Sequence, residues 1–290
     1  MKIGIIGKSF EAHFDTVIRR LFARMQAEDV SLYLFEPFRA FLRTKGMLPG
    51  GISGSFESHQ SLPRDLDIVI SLGGDGTFLS SVNLIRDSGI PVVGINMGRL
   101  GFLANISLAE LDASLDNLLR KSFTCDERAL ISLECDTPLF GDFQYALNEV
   151  TIQKKGTSLV TIHTWCNEEL VTSYWADGLI ISTPTGSSAY SMSVGGPIVD
   201  PRCQSFILSP IAPHNLNVRP LVLPDHAVLR LQAESRYSEF YVTADSHSHV
   251  CRNGIEIKLR KAPFTFRVVN AASFFSTLRN KLMWGADIRN

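Results

Sequence analysis

Leu66-Asp67-Ile68-Val69-Ile70-Ser71-Leu72-Gly73-Gly74-Asp75-Gly76-Thr77-Phe78-Leu79 changes character twice within one short stretch. Its first half is a near-continuous apolar run, the pattern of a strand covered on both faces in a parallel sheet. Three glycines around a single aspartate follow, and from Thr77 to Arg86 the apolar residues recur at helical spacing. A strand, a glycine-rich turn and a helix in that order form the repeating piece of an open α/β sheet, whose ligands bind at such turns. Upstream, Lys2 to Gly7 reads as a strand, and Phe14 to Gln26 as a helix with Phe14, Val17, Ile18, Leu21, Phe22 and Met25 on one face. Val30 to Phe35 and Val92 to Asn96 add strands, and Leu108 to Arg120 a helix. The alternation predicts an α/β N-terminal domain with an open, mostly parallel sheet. Leu42 to Arg64, rich in Gly, Ser and Pro, has no periodicity and predicts a mobile loop placed to act as a lid.

Beyond about Phe123 the texture becomes short β-prone segments: Ala129 to Cys135, Leu147 to Gln153, Thr161 to Trp165, Gly178 to Ser182, Val228 to Gln232 and Phe240 to Ala244. They predict a β-rich C-terminal domain. The expected organisation is an α/β domain over 1–123, a β-rich domain over 124–265, and a segment over 266–290 that returns to the first domain. That last segment has Phe275, Leu278 and Leu282 at helical spacing.

Composition narrows the partners. The chain has 290 residues, 45% of them hydrophobic, and its 28 Lys plus Arg nearly cancel 29 Asp plus Glu. No broad basic field is available to hold nucleic acid. The five cysteines, Cys125, Cys135, Cys166, Cys203 and Cys251, are widely spaced with no C-x-x-C pair, which reads as idle thiols in a reducing cytoplasm. No apolar stretch approaches a membrane span, and the opening Met1 to Phe10 is too short an apolar run for a signal peptide.

The chemistry concentrates at Gly73 to Thr77. Glycines let the backbone approach a ligand and turn amides toward phosphate, and the following helix adds the partial positive charge of its N-terminus. Asp75 repels anions, so it makes a poor passive cradle and a sensible base or metal-linked carboxylate. The bland alternative is a tight turn in which Asp75 caps the helix. Gly4-Ile-Ile-Gly7-Lys8-Ser9 is no Walker A loop, because the required first glycine falls at Lys2.

Four motifs in order, Gly73-Gly-Asp-Gly-Thr77, Asn96-Met-Gly-Arg-Leu-Gly-Phe-Leu103, Leu147-Asn-Glu-Val150 and Asp177-Gly-Leu-Ile-Ile-Ser-Thr-Pro-Thr-Gly-Ser-Ser-Ala-Tyr-Ser-Met-Ser193 with Gly195-Gly-Pro197, resemble those of NAD kinases from about Lys2 to Trp284. The first is shared with diacylglycerol and sphingosine kinases; the long fourth motif narrows the resemblance to NAD. It implies an enzyme that phosphorylates the adenosine 2′-hydroxyl of NAD with ATP or polyphosphate, with Mg²⁺ arriving on the donor. By resemblance, Asp75 takes the hydroxyl proton, and Gly73, Gly74, Gly76 and Thr77 line the nucleotide. Asn148 and Glu149 hold nucleotide hydroxyls, and an amide beside a carboxylate can both donate to and accept from a ribose diol. Ser188, Ala189, Tyr190, Ser191, Met192 and Ser193 form the polar turn that follows, where Tyr190 offers a flat face to a base; singly it reads equally as a core aromatic. Asp177 reads the second nucleoside, by resemblance from a neighbouring subunit, which implies a homo-oligomer, a dimer or tetramer.

Two departures stand out. Trp175 occupies a place often small or charged in the family, near the nicotinamide end, where bulk bears on the choice between NAD and NADH. Ser246 follows Asp245 where glycine is usual, and alternation would set Asp245, His247, His249 and Cys251 in a row that resembles metal ligands. Packing and surface histidines are the preferred reading of that row, with His247 kept as a nucleotide contact. The rival readings are a lipid kinase sharing the Gly-Gly-Asp-Gly-Thr loop, against which stands the lack of an amphipathic membrane helix, and an NAD-binding regulator without catalysis.

Overall fold

The computed structural model describes residues 1–98 and 100–285; Arg99 of the second motif and the last residues of the expected C-terminal segment, 286–290, lie outside the described residues. The chain divides into two compact units, Met1–Glu127 together with the chain from Phe266 onward, and Arg128–Thr265.

The first unit carries β1 (Lys2–Gly7), α1 (Asp15–Ala27), β2 (Ser31–Phe35), α2 (Glu36–Thr44), β3 (Ile52–Phe56), β4 (Ile68–Leu72), α3 (Asp75–Ile85), β5 (Val92–Ile95) and α4 (Leu111–Leu119). Its strands run in the order β3-β2-β1-β4-β5, all neighbours parallel. Ile3, Ile5, Ile68, Ile70 and Ile95 bury their side chains among those of Leu21, Phe22, Met25, Leu111 and Leu115 from the helices, so the apolar runs become the centre of the sheet. The order reverses direction at β1: the chain leaves it toward β2 on one side and reaches β4 on the other. Gly7 and Leu72 are paired neighbours at the carboxyl ends of those two strands. The turn at Gly73–Gly76 therefore lies at the switch point of the sheet, where the crevice of an open α/β fold forms.

The expected lid over 42–64 is corrected by this architecture. Its start completes α2, which has Pro37 in its first turn and buries Phe38 and Leu42. Ile52–Phe56 pairs with β2, and Phe56 and Leu62 are buried. Gly54 and Ser55 hide this strand from a propensity reading; backbone pairing to an existing edge supports it instead.

The second unit contains β6 (Cys125–Glu134, which enters it from the first), β7 (Tyr145–Ala146), β8 (Glu149–Lys154), β9 (Val160–Cys166), β10 (Glu169–Ala176), β11 (Gly178–Ser182), the short α5 (Tyr190–Ser193), β12 (Ser205–Ile211), β13 (Leu221–Pro224), β14 (Leu229–Ser235), β15 (Glu239–Ala244), β16 (His247–Arg252) and β17 (Glu256–Val269). One sheet runs β13-β12-β11-β8-β15-β16, antiparallel throughout; another aligns β10-β9-β14 with the first part of β17. Val150, Ile152, Leu179, Ile181, Phe206 and Leu208 of the first sheet share a core with Val160, Ile162, Leu229, Leu231 and Leu259 of the second. The end of β17 belongs to the first unit, where Val268 pairs parallel with Val92. After it, α6 (Phe274–Leu282) starts where the Ser273 side chain accepts the Ser276 N–H at 3.1 Å.

Candidate functional site

At the switch point Gly73 has φ +153°, and a Cβ there would stand 2.3 Å from Thr77 Oγ1, so the turn admits only glycine. Gly74 is the N-cap of α3 without any side-chain cap, its carbonyl accepting from the Thr77 and Phe78 amides. Asp75 is thus the first helical residue, yet its carboxylate does not cap its own helix. Oδ1 accepts from the Leu103 and Ala104 amides and Oδ2 from the Phe102 amide, all at 2.9 Å. Gly101 makes this approach possible, for a Cβ there would lie 1.9 Å from Asp75 Oδ1. Lys281 of α6 adds its ammonium at 3.3 Å from Oδ2 and sits 4.6 Å from the Phe102 ring centroid. The second motif, quoted in the sequence only as a signature, is the anchor of the aspartate in the first.

In the second unit Glu149 opens β8 and Asn148 immediately precedes it. The turn that follows β11 is strapped to them: Thr183 N–H donates to the Asn148 carbonyl at 2.9 Å, Thr183 Oγ1 to the Leu147 carbonyl at 2.6 Å, and Gly186 N–H to Thr183 Oγ1 at 3.1 Å. Asp245 supports the same segment from below, accepting the Leu147, Asn148 and Glu149 amides at 2.8, 2.8 and 3.1 Å. Against that backbone satisfaction, two side-chain atoms are orphaned: Asn148 Oδ1 and Glu149 Oε2 are buried with no hydrogen-bond partner among the described residues. Burial first, and the nearby Asp245 charge second, push the Glu149 carboxyl up to about 8. At neutral pH it is therefore mostly a neutral acid, able to donate one hydrogen bond and accept others, beside an amide oxygen that needs a donor. A vicinal diol supplies both.

The remaining expected residues are placed as follows. Tyr190 is partly exposed at the start of α5, its hydroxyl accepting from Gln153 Nε2 at 2.8 Å, so it is not a core aromatic. Ser188 is half-buried with its hydroxyl toward the Thr185 carbonyl at 3.4 Å, and Ala189 beside it is half-buried too. Ser191 is buried and tied to Ser209 Oγ at 2.8 Å, which makes it a structural contact, whereas Met192 is half-buried and Ser193 exposed. Asp177 pairs with Lys154 at 2.5 Å. Trp175 is 47% exposed and its ring lies 4.2 Å from that of His214. His247 is exposed on β16. Asp245 leaves the expected row with the histidines, since it sits in the β15–β16 turn at φ 49° with its oxygens on backbone amides. Cys251 also leaves it, buried in the core where desolvation pushes its thiol up to about 11.

Residues 52–123 match the family model described as ATP-NAD kinase N-terminal domain, and residues 147–271 match the ATP-NAD kinase C-terminal domain. The chain belongs to the NAD kinase family. Among family members, the NAD kinase of Flavobacterium psychrophilum is 42% identical over 295 residues and that of Porphyromonas gingivalis 39% over 291, with 99% or more of both chains covered in each case. Two solved structures share the fold. Yeast NADH kinase complexed with NADH superposes with a TM-score of 0.83 at 21% identity, covering 100% of this chain and 89% of that one. An NAD kinase from Archaeoglobus fulgidus in complex with ATP gives 0.76 at 24% identity, over 98% and 99%.

Of the residues that hold the NAD kinase motifs in place, sequence reading missed Gly101, the 102–104 amides, Lys281, Gln153 and Lys154. The residue type at Gly101 was the one available signal that something must come close there.

Proposed function

We propose that this protein transfers the terminal phosphoryl group of ATP to the 2′-hydroxyl of the adenosine ribose of NAD, giving NADP and ADP. The hydroxyl oxygen forms the new bond to phosphorus as the bond to the ADP oxygen breaks, and Asp75 accepts the hydroxyl proton. Gly74 and Gly76 supply amides and the α3 N-terminus to the phosphates, while Gly73 and Thr77, whose amides are taken by the Ile95 and Gly74 carbonyls, shape the turn around them. Asn148 and Glu149 hold nucleotide hydroxyls. Their orphaned oxygens are the observation that carries the reading, because buried polar atoms are ordinarily paired and a ribose diol provides the missing partners. Tyr190 offers its exposed ring to a base, within the turn 188–193, and His247 stands with it as a nucleotide contact. Asp177 reads the second nucleoside, and the bulk of Trp175 biases the choice between NAD and NADH.

The donor set near Gly73–Gly76 suits a Mg²⁺ carried by phosphates: the carboxylate there, Asp75, has its oxygens turned to amides, so such an ion would be held chiefly through the donor. When bound, it would supply positive charge to offset that of the transferring phosphoryl group. The lipid-kinase alternative is set aside by the family match in both units. A cytoplasmic place and a homo-oligomeric state, dimer or tetramer, complete the proposal; the support for the first is the set of five free thiols. The test is an incubation with NAD, Mg²⁺ and either ATP or polyphosphate, read by an NADP-specific coupled enzyme. Formation of NADP that depends on one of these donors is expected, and none with either donor overturns the proposal.

A further inference from the structure

Asp75 is held in two unequal ways. Three backbone amides grip its carboxylate at 2.9 Å, two on Oδ1 and one on Oδ2. Lys281 approaches Oδ2 at 3.3 Å, longer than the usual 2.7–2.9 Å of a charge-assisted bond. The same ammonium lies over the face of Phe102, and Phe274 of the same helix flanks that ring at a centroid distance of 6.5 Å. The ammonium is thus a surplus ligand for positioning, on a flexible side chain that is about a third exposed. It also covers a working atom. Oδ1 already accepts two bonds and Oδ2 one, so with Lys281 in place no ordinary lone-pair site remains on the carboxylate for a substrate hydroxyl.

We propose that Lys281 is the mobile phosphate-binding cation of this site: it rests on Asp75 Oδ2 and moves to the phosphate oxygens of the incoming donor, which uncovers Oδ2 for the acceptor hydroxyl. A polyphosphate carries several negative charges against the single one of Asp75, and it docks where the α3 amides already favour anions, so the ammonium exchanges toward the stronger partner. The three amides keep Asp75 in place through the exchange. Binding of the donor and availability of the base are thereby coupled through one side chain from the far end of the sequence. This inference rests on the kinase reading above.

The test compares Lys281→Gln and Lys281→Arg with the parent protein in steady-state assays varying ATP and NAD separately, alongside direct calorimetric titration with ATP alone and a thermal melt. Lys281→Gln is expected to raise the KM for ATP and weaken ATP binding by about tenfold, leave the KM for NAD within about twofold, and keep Tm within a few degrees, while Lys281→Arg recovers most of the loss. Unchanged ATP binding in Lys281→Gln, an equal rise in both KM values, or an arginine variant as impaired as glutamine would overturn it and leave Lys281 a tether for α6. The calorimetric arm needs no turnover: parent protein that binds ATP yet forms no NADP defeats the kinase reading, and the Lys281 comparison is still scored on binding.

Discussion

Asp75 acts on the structure and, in the proposed reaction, on the chemistry, and a single substitution touches both. Asparagine cannot accept at both positions, so an Asp75→Asn side chain sets an NH₂ group against either the Phe102 amide or the pair from Leu103 and Ala104. We expect kcat to fall by roughly 10²–10⁴-fold from loss of the base, together with a stability loss of about 1–3 kcal/mol from the unpaired amide. A folded variant with near-normal kcat would remove Asp75 from the reaction and leave it as the loop's anchor. Glu149 makes a pH prediction. Its carboxyl titrates near 8 in the fold against 4.5 as the ordinary value. Below about pH 4.5 it is neutral folded and unfolded; between 4.5 and 8 the unfolded chain releases this proton first, so stability falls with rising pH and levels off above 8. The full effect is on the order of 5 kcal/mol for that shift. Urea midpoints at pH 5 and pH 8.5 should therefore separate for the parent and converge for Glu149→Gln; equal separation in both proteins would show that Glu149 does not carry it.

Among elements, the turn between β4 and α3 and the 101–104 segment form one interlocked piece. Neither stands alone, since Gly101 leaves the space into which the Asp75 carboxylate reaches. Gly101→Ala should force the two apart, costing about 1–3 kcal/mol as an overpacked contact and lowering kcat more than tenfold, measured by a thermal melt and the NADP assay. A neutral outcome in both would mean that the segment yields without moving Asp75. Among the elements that the sequence reading missed is β3. Its Ile52-Ser-Gly-Ser-Phe56 has the composition of a loop, and it is a strand because β2 offers an unpaired edge to it.

Over the whole molecule two cores are built on different plans, an α/β sheet covered by helices and a pair of β-sheets facing each other. Edge strand β10 exposes Leu170 and Trp175 at 56% and 47%, an apolar edge of the kind that proteins usually cover. Together with the expected role of Asp177 from a neighbouring subunit, this leads us to expect a dimer or tetramer by light scattering at micromolar concentration, and a monomer there would refute the oligomeric proposal. The α/β and β-rich textures, the positions of most strands along the chain, and the identity of the motif residues were legible in the amino-acid sequence, because burial repeats at the period of each element and glycine marks where backbone must come close. What Asp75 touches was not legible. Its partners come from residues 102–104 and 281, which no periodicity connects to position 75, and backbone amides carry no residue-type signal at all. The same holds for Asn148 and Glu149: their types were apparent, but whether they are solvated or buried with orphaned oxygens depends on Asp245 and the turn after β11 closing around them. Sequence determined which groups are available for the chemistry; only the tertiary structure decided which of their lone pairs are already taken, because that depends on contacts between chain segments far apart in number.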